Sequence, residues 1–117
     1  MAISIFEDIF NPNHLMIGVS KYQRGRTYIK LGELNKAFND FKSSETILAN
    51  DSENYINWVI YYAAKYQQEE ALSKLEEAIE LGYNDLEWLK TNDTISNLKK
   101  EKRFKQIIKK LEKKHKK

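Results

Sequence analysis

Residues 25–41 read GRTYIKLGELNKAFNDF, and the order of their glycine, aromatic and alanine residues predicts two helices joined by a tight turn. Gly32 interrupts the apolar spacing, and glycine often ends a helix because it adopts the left-handed conformation without strain. Gly25 and Ala37 are small, so the two helices can cross with their axes about 8–10 Å apart. The aromatic residues between them fill the remaining space. The stretch therefore predicts an antiparallel helical hairpin.

A looser second copy follows at an offset of 34 residues. Four of its positions keep the aromatic, small or bulky character of the first copy: Tyr62, Ala71, Leu75 and Ala78. Three positions depart from it: Val59, Tyr66 and Gln68. The turn and the helix crossing of the second hairpin are therefore expected to differ in form. A fixed period in this range is typical of an array of helical hairpins, each of which buries its apolar face against the next.

The remaining helix signals divide the chain into units. Asn11-Pro12 predicts a helix start, and Asn50-Asp51-Ser52 predicts a break before the third helix. After residue 84 the 34-residue register is lost, and a brief helix, a restart and a final basic helix are expected. The predicted organisation is one domain over 1–117, with these units: an apolar segment at 1–11, a first repeat at 12–50, a second at 51–83, and a degenerate capping unit at 84–117.

Composition favours an α-helical domain without thiol chemistry. The chain has one Pro, four Gly and no Cys in 117 residues, which favours helices and excludes disulfides, thiolate metal sites and cysteine nucleophiles. No apolar run approaches the roughly 20 residues that cross a bilayer. Residues 1–10 lack the basic start of a secretory signal. The sequence therefore predicts a cytoplasmic protein.

The charge is divided between an acidic body and a basic tail. Residues 1–98 hold nine Lys or Arg and fifteen Asp or Glu, a net charge of −6, whereas residues 99–117 hold eleven and two, a net charge of +9. Four apolar residues recur in the tail at helical spacing: Phe104, Ile107, Ile108 and Leu111. This spacing predicts a helix that docks through its apolar face. The tail lacks an aromatic stacking platform, which argues against nucleic acid.

The spacing in the first hairpin resembles the tetratricopeptide repeat at these positions: Gly25, Tyr28, Gly32, Leu34, Ala37 and Phe41. The segment from Ala78 to Tyr83, with Trp88-Leu89 and Arg103-Phe104, is also similar to the terminal segment of many bacterial repeat proteins. The resemblance implies an all-α, right-handed superhelical solenoid whose first helices line a concave groove. It also implies a non-enzymatic module that binds a peptide or partner protein there, without a cofactor or a small-molecule substrate.

The resemblance implies six partner contacts in that groove: Tyr22, Arg26, Ile29, Lys30, Asn57 and Ile60. The apolar members would exclude water, and the two cations would favour an acidic segment in the partner. Two alternatives stay open. The chain could be a structural fragment of a longer repeat protein, or an adaptor whose Lys-rich C-terminal helix contacts an acidic partner, nucleic acid or a membrane surface.

No catalytic or metal-binding constellation is visible in the sequence. His14 and His115 lie at opposite ends of the chain, and the carboxylate pairs Glu69-Glu70 and Glu76-Glu77 share one helix. Catalytic carboxylates need a cleft that separates their pKa values, so a solvated helix face is the simpler interpretation. We therefore expect no enzyme activity, no metal site and no catalytic residue.

Two aromatic or apolar groups have open interpretations. Among the tyrosines of the third helix, Tyr62 is expected in the core and Tyr61 toward the surface, while Tyr55 and Tyr66 could be either. The apolar residues of the segment 3–10 are expected to fold over the first hairpin, or else to form the seam of a homodimer. The oligomeric state, monomer or homodimer, stays open at this point.

Overall fold

The structure is a computed structural model that describes residues 12–115. The described residues form α-helices and one 3₁₀ helix and contain no strand. The elements are α1 (Pro12–Lys30), α2 (Leu34–Ile47), α3 (Glu53–Ala64), α4 (Gln68–Glu80), α5 (Leu86–Thr91), the 3₁₀ helix (Asp93–Leu98) and α6 (Lys102–His115). The predicted all-α class is confirmed. The predictions for residues 1–11 lie outside the described range.

The helices pack as two hairpins followed by a terminal unit. α1 packs most extensively against α2, and α3 packs most extensively against α4. Because the turns within each pair are only a few residues long, the two helices of a pair run antiparallel. The 3₁₀ helix packs against α3, and α6 contacts both α4 and α5. Each unit therefore lies against the unit before it.

The first hairpin crosses closely at its glycines. A Cβ atom added to Gly25 would lie 2.6 Å from Cε1 of Phe41, and one added to Gly18 would lie 2.8 Å from Cγ2 of Ile47. Real Cβ atoms do not approach other carbons this closely, so only glycine fits at these positions without a shift of the neighbour. The predicted role of Gly25 as a close-approach residue is confirmed.

Both hairpin turns close in the same way. Gly32 has a φ of 77° and Tyr66, at the equivalent position, has a φ of 59°. The backbone N–H of the next residue donates to the carbonyl oxygen of Tyr28 in the first hairpin and of Tyr62 in the second, both at 2.9 Å. The expectation that the second turn differs is therefore wrong, because a tyrosine adopts the left-handed conformation that the turn requires.

One core joins the hairpins and the terminal unit. α6 docks through the four residues predicted for its apolar face, all of them buried: Phe104, Ile107, Ile108 and Leu111. Ion pairs hold the rim of this contact. Arg103 lies 2.9 Å from Glu69 and also pairs with Glu76, and Lys90 of α5 lies 2.7 Å from Glu112. The predicted amphipathic docking of the final helix is confirmed.

The tyrosines of α3 are distributed differently from the expectation. Tyr61 is buried, because its ring packs against Phe38 and Trp58. Tyr62 is only half-buried, although it packs against the core. The expectation of a surface position for Tyr61 is wrong, since contacts with α2 decide its burial and the spacing within α3 does not reveal them.

Candidate partner-binding face

Arg26 joins the first helices of the two hairpins. It lies near the C-terminal end of α1, and its Nε donates to Oδ1 of Asn57 at 2.8 Å. Its Nη2 lies 2.7 Å from Oε2 of Glu53. Glu53 and Asn57 are four residues apart on α3 and therefore lie one above the other on the same side of that helix. The guanidinium is thus held by a carboxylate and an amide from one neighbouring helix.

Aromatic rings cover the same guanidinium. Its central carbon lies 4.7 Å from the ring centroid of Tyr22 and 5.8 Å from that of Trp88. Trp88 belongs to α5, so the terminal unit also contacts the guanidinium of Arg26. We call the surface formed by Tyr22, Arg26, Glu53 and Trp88, over the buried Asn57, the Arg26 face. Cation–π contacts of this kind strengthen when the cation is partly desolvated, as Arg26 is here.

Carboxylates dominate the electrostatics beside the two tyrosines of this region. Burial raises the pKa of Tyr22, and the negative charge of Glu53 raises it further. Burial also raises the pKa of Tyr83, whose ring lies 6.5 Å from that of Trp88, and Glu53 and Asp85 add to the shift. Arg26 lowers both pKa values, but by less than the opposing causes together. Both hydroxyls therefore stay neutral at physiological pH and can donate hydrogen bonds.

The structure brings some of the six predicted contact residues together. Tyr22 and Arg26 are half-buried on the Arg26 face, and Lys30 is exposed one helical turn further along α1. The other three are buried: Ile29, Asn57 and Ile60. In this conformation these three offer no surface to a partner, and Asn57 acts by holding Arg26. That the six residues bind a partner stays a prediction.

Neutralisation of Arg26 changes the expected charge of the face. The sequence-based prediction treats Arg26 and Lys30 as two cations that together attract an acidic segment of the partner. In the structure the charge of Arg26 is already opposed by Glu53 at 2.7 Å, so Lys30 is the exposed cation of the two. The four-residue spacing of Glu53 and Asn57 was the signal that could have revealed this pairing.

Trp88 and Tyr83 are the members of this region that the sequence did not identify. Trp88 belongs to the terminal unit and Tyr83 directly precedes that unit, and nothing in the spacing of α1 or α3 indicates that this part of the chain returns to α1. Trp88 is half-buried and Tyr83 is buried. Their contribution arises from the packing of α5, which only the folded chain shows.

Comparison with known proteins adds no relative: no family model matches the sequence, and no curated protein or solved structure gives a significant match. In the part of the chain that the structure describes, no group of three or more His, Cys, Asp or Glu side chains is placed to hold a metal ion. No helix within residues 12–115 is long and apolar enough to cross a membrane.

Proposed function

We propose that this chain is a tetratricopeptide-type interaction module that binds a peptide or partner protein on its Arg26 face, without catalysing a reaction. The observation that carries the proposal is the repeated closure of the hairpins at an offset of 34 residues. Both turns have a left-handed residue, with φ of 77° and 59°, and both close with a 2.9 Å hydrogen bond. Arrays of such hairpins expose extended surfaces that bind other proteins.

Contacts to the terminal unit support the repeat interpretation. Nδ2 of Asn97 donates to the carbonyl oxygen of Ala63 at 2.8 Å, and Arg103 donates to Glu69 at 2.9 Å. Both contacts join residues that are 34 positions apart. In a solenoid each unit contacts the corresponding part of its neighbour, so this pattern is typical of one. The right-handed superhelix and the cytoplasmic location remain parts of the proposal.

The Arg26 face has the composition of a binding surface. Tyr22 and Trp88 expose part of their rings beside the guanidinium, and Lys30 supplies an exposed cation at the edge. Tyr, Trp and Arg side chains contribute most of the binding free energy at protein interfaces. Because Arg26 is held in place before any partner arrives, the face loses little conformational entropy on binding.

Partner capture with two matched variants tests this function. Tyr22→Ala/Lys30→Glu alters the Arg26 face and leaves Arg26 paired with Glu53, whereas reversing Arg26 itself would also break its bonds to Asn57 and Glu53. Lys105→Glu/Lys109→Glu alters exposed lysines of α6 and serves as the control. We expect the first variant to lose the partners that the wild-type chain captures from its native lysate, as identified by mass spectrometry. Unchanged capture would overturn the proposal.

The same pair of variants tests the adaptor alternative. Six lysines of α6 are exposed and, among the described residues, form no ion pair: Lys102, Lys105, Lys109, Lys110, Lys113 and Lys114. This exposed charge is the observation that favours an adaptor role. If capture is lost only in the Lys105→Glu/Lys109→Glu variant, the basic helix binds the partner and the Arg26 face does not.

A further inference from the structure

A second side of α3 carries a cluster of aromatic rings. Phe38 of α2 lies 5.4 Å from Trp58 and 5.5 Å from Tyr61, and Trp58 lies 5.6 Å from Tyr61, measured between ring centroids. Tyr62 extends the cluster, 5.5 Å from Tyr61. Trp58 directly follows Asn57, so it points about 100° around the helix axis from the Arg26 face. The two surfaces are therefore separate.

The rings form the floor of a cavity that is open to solvent. Its volume is about 300 Å³, and its lining comes from three helices, α2, α3 and α4: Phe38, Lys42, Glu45, Trp58, Tyr62 and Lys74. This volume lies at the lower end of the range for binding pockets, and half of the lining residues are aromatic and half are charged. Phe38 is 37% exposed, so part of the floor is already accessible.

Two cations lie at the rim of the cavity. Nζ of Lys42 lies 5.7 Å from the ring centroid of Trp58, and Nζ of Lys74 lies 5.5 Å from that of Tyr55. Each has a carboxylate on its own helix, Glu45 at 3.8 Å and Glu77 at 3.4 Å. Exposed pairs of this spacing are weak, and the ammonium groups keep donors free for another anion. The cavity lining holds these two cations and Glu45, while Glu77 lies beside Lys74, so a partner carboxylate would compete only with weak, exposed pairs.

We propose that this cavity binds an aromatic side chain of a partner protein, flanked in the partner's sequence by carboxylates. The ring would lie on the exposed sides of Phe38 and Tyr62, over the buried Trp58, and make the edge-to-face contacts that aromatic rings prefer. The flanking carboxylates would meet Lys42 and Lys74, which come from α2 and α4. Because the cavity is shallow and open, a free small molecule would stay largely exposed, whereas a peptide gains further contacts along the rim.

The two tryptophans of the chain provide separate reporters for the two surfaces. In a ¹⁵N-labelled sample each indole N–H gives one signal, from Trp58 at the cavity and from Trp88 at the Arg26 face. The probes are capped pentapeptides: Asp-Asp-Phe-Asp-Asp, its Ala analogue Asp-Asp-Ala-Asp-Asp, and its basic analogue Lys-Lys-Phe-Lys-Lys. We expect the first peptide to shift the Trp58 signal in a saturable way, and the two analogues to shift it much less.

Every other outcome of this titration contradicts a stated part of the cavity proposal. A shift of the Trp88 signal alone would overturn the cavity proposal and support binding at the Arg26 face. No shift of the Trp58 signal would overturn the cavity proposal and leave the proposed function to the capture experiment. An equal shift of the Trp58 signal with the basic peptide would overturn the acidic character assigned to the partner segment. An equal shift with the Ala analogue would overturn the assigned aromatic side chain.

Variants of the rim lysines test whether the peptide binds in the cavity. Lys42→Ala/Lys74→Ala removes both cations and should weaken binding of the acidic aromatic peptide about tenfold. Lys36→Ala is the matched control, since Lys36 is an exposed lysine of α2 that lies over Tyr28, outside the cavity. Phe38→Ala should also weaken binding, and its circular dichroism spectrum checks that it folds. Wild-type affinity in the double-lysine variant would overturn the proposal.

Discussion

The first hairpin crosses at Gly25, whereas the equivalent position of the second hairpin holds Val59, although the same hydrogen bond closes both turns. Gly25 faces Phe41 in the first hairpin. The equivalent residues of the second are Val59 and Leu75, both fully buried. Glycine with phenylalanine fills a volume similar to that of valine with leucine. Protein cores tolerate exchanges that conserve the total side-chain volume in this way. The two hairpins therefore hold different residue pairs at equivalent buried positions.

The hairpins also differ in what covers them. The second is covered by the 3₁₀ helix and α6, which pack against α3 and α4. The first exposes three consecutive apolar residues near the start of α1, Leu15, Met16 and Ile17, with exposed fractions of 43%, 65% and 50%. Contiguous exposed apolar residues are a common mark of an interaction surface. The packing of the two hairpins is thus alike inside and different at their outer faces.

The largest expected effect concerns the crossing of the first hairpin. Gly25→Val adds a side chain where a Cβ alone would lie 2.6 Å from Phe41, so it should lower the free energy of unfolding by about 3 kcal/mol. Adding Phe41→Leu copies the residue pair of the second hairpin and should recover part of the loss. Urea unfolding followed by circular dichroism measures both. If the double variant is no more stable than Gly25→Val, the two crossings are not equivalent.

The next effect concerns the link between the hairpins. Asn57→Ala removes the acceptor of Arg26 Nε from a fully buried position, and the unfolding free energy should fall by about 2 kcal/mol. Gln23→Ala, at an exposed position of α1, is the control. Equal stability of the two variants would show that Arg26 does not depend on Asn57.

A smaller effect should distinguish the two turns. Tyr66→Gly relieves a left-handed tyrosine that is 75% exposed and should raise the unfolding free energy by about 1 kcal/mol. Gly32→Ala introduces the same strain into the first turn and should lower it by a similar amount. Thermal unfolding of the two variants measures both signs. A loss of stability in Tyr66→Gly would mean that the ring makes a contact worth more than the strain.

The smallest effect concerns the ion pairs that cover the second hairpin only. Arg103→Met removes the contacts to Glu69 and Glu76 and should cost about 0.5 kcal/mol, because all three side chains are at least partly exposed. Salt at about 1 M should abolish most of this difference, since it screens exposed charges. Lys90→Met, which removes one exposed pair, should cost less. If the loss of unfolding free energy in Arg103→Met does not depend on salt, Arg103 stabilises the fold by packing rather than by its charge.

Much of the fold could be predicted from local signals. Gly32 ends a helix in the left-handed conformation, as expected, and Asp51 accepts the backbone N–H of Glu53 at the start of α3. The apolar spacing of α6 identified its buried face. These features depend on residues close together in the chain, which is why spacing and residue type reveal them.

The second hairpin turn and the candidate site were less accessible to such reasoning. Tyr66 has a φ of 59° in a turn position where glycine is usual, and its residue type does not indicate this conformation. Trp88 reaches Arg26 only through the packing of α5. The resemblance implied groove positions for Asn57 and Ile60, but it could not show that neighbouring helices bury them fully. Burial of this kind is a tertiary property.

The contact between Asn97 and Ala63 also has a consequence for how the chain folds. It joins the terminal unit to the end of α3, and the main helix contacts likewise run between neighbouring units. Contacts that are local along the chain favour fast folding, and nearest-neighbour coupling lets a linear array open from its ends. Backbone amides of α3, which has neighbours on both sides, should therefore exchange with solvent more slowly than those of α6. A protease should therefore cleave α6 before it cleaves α3.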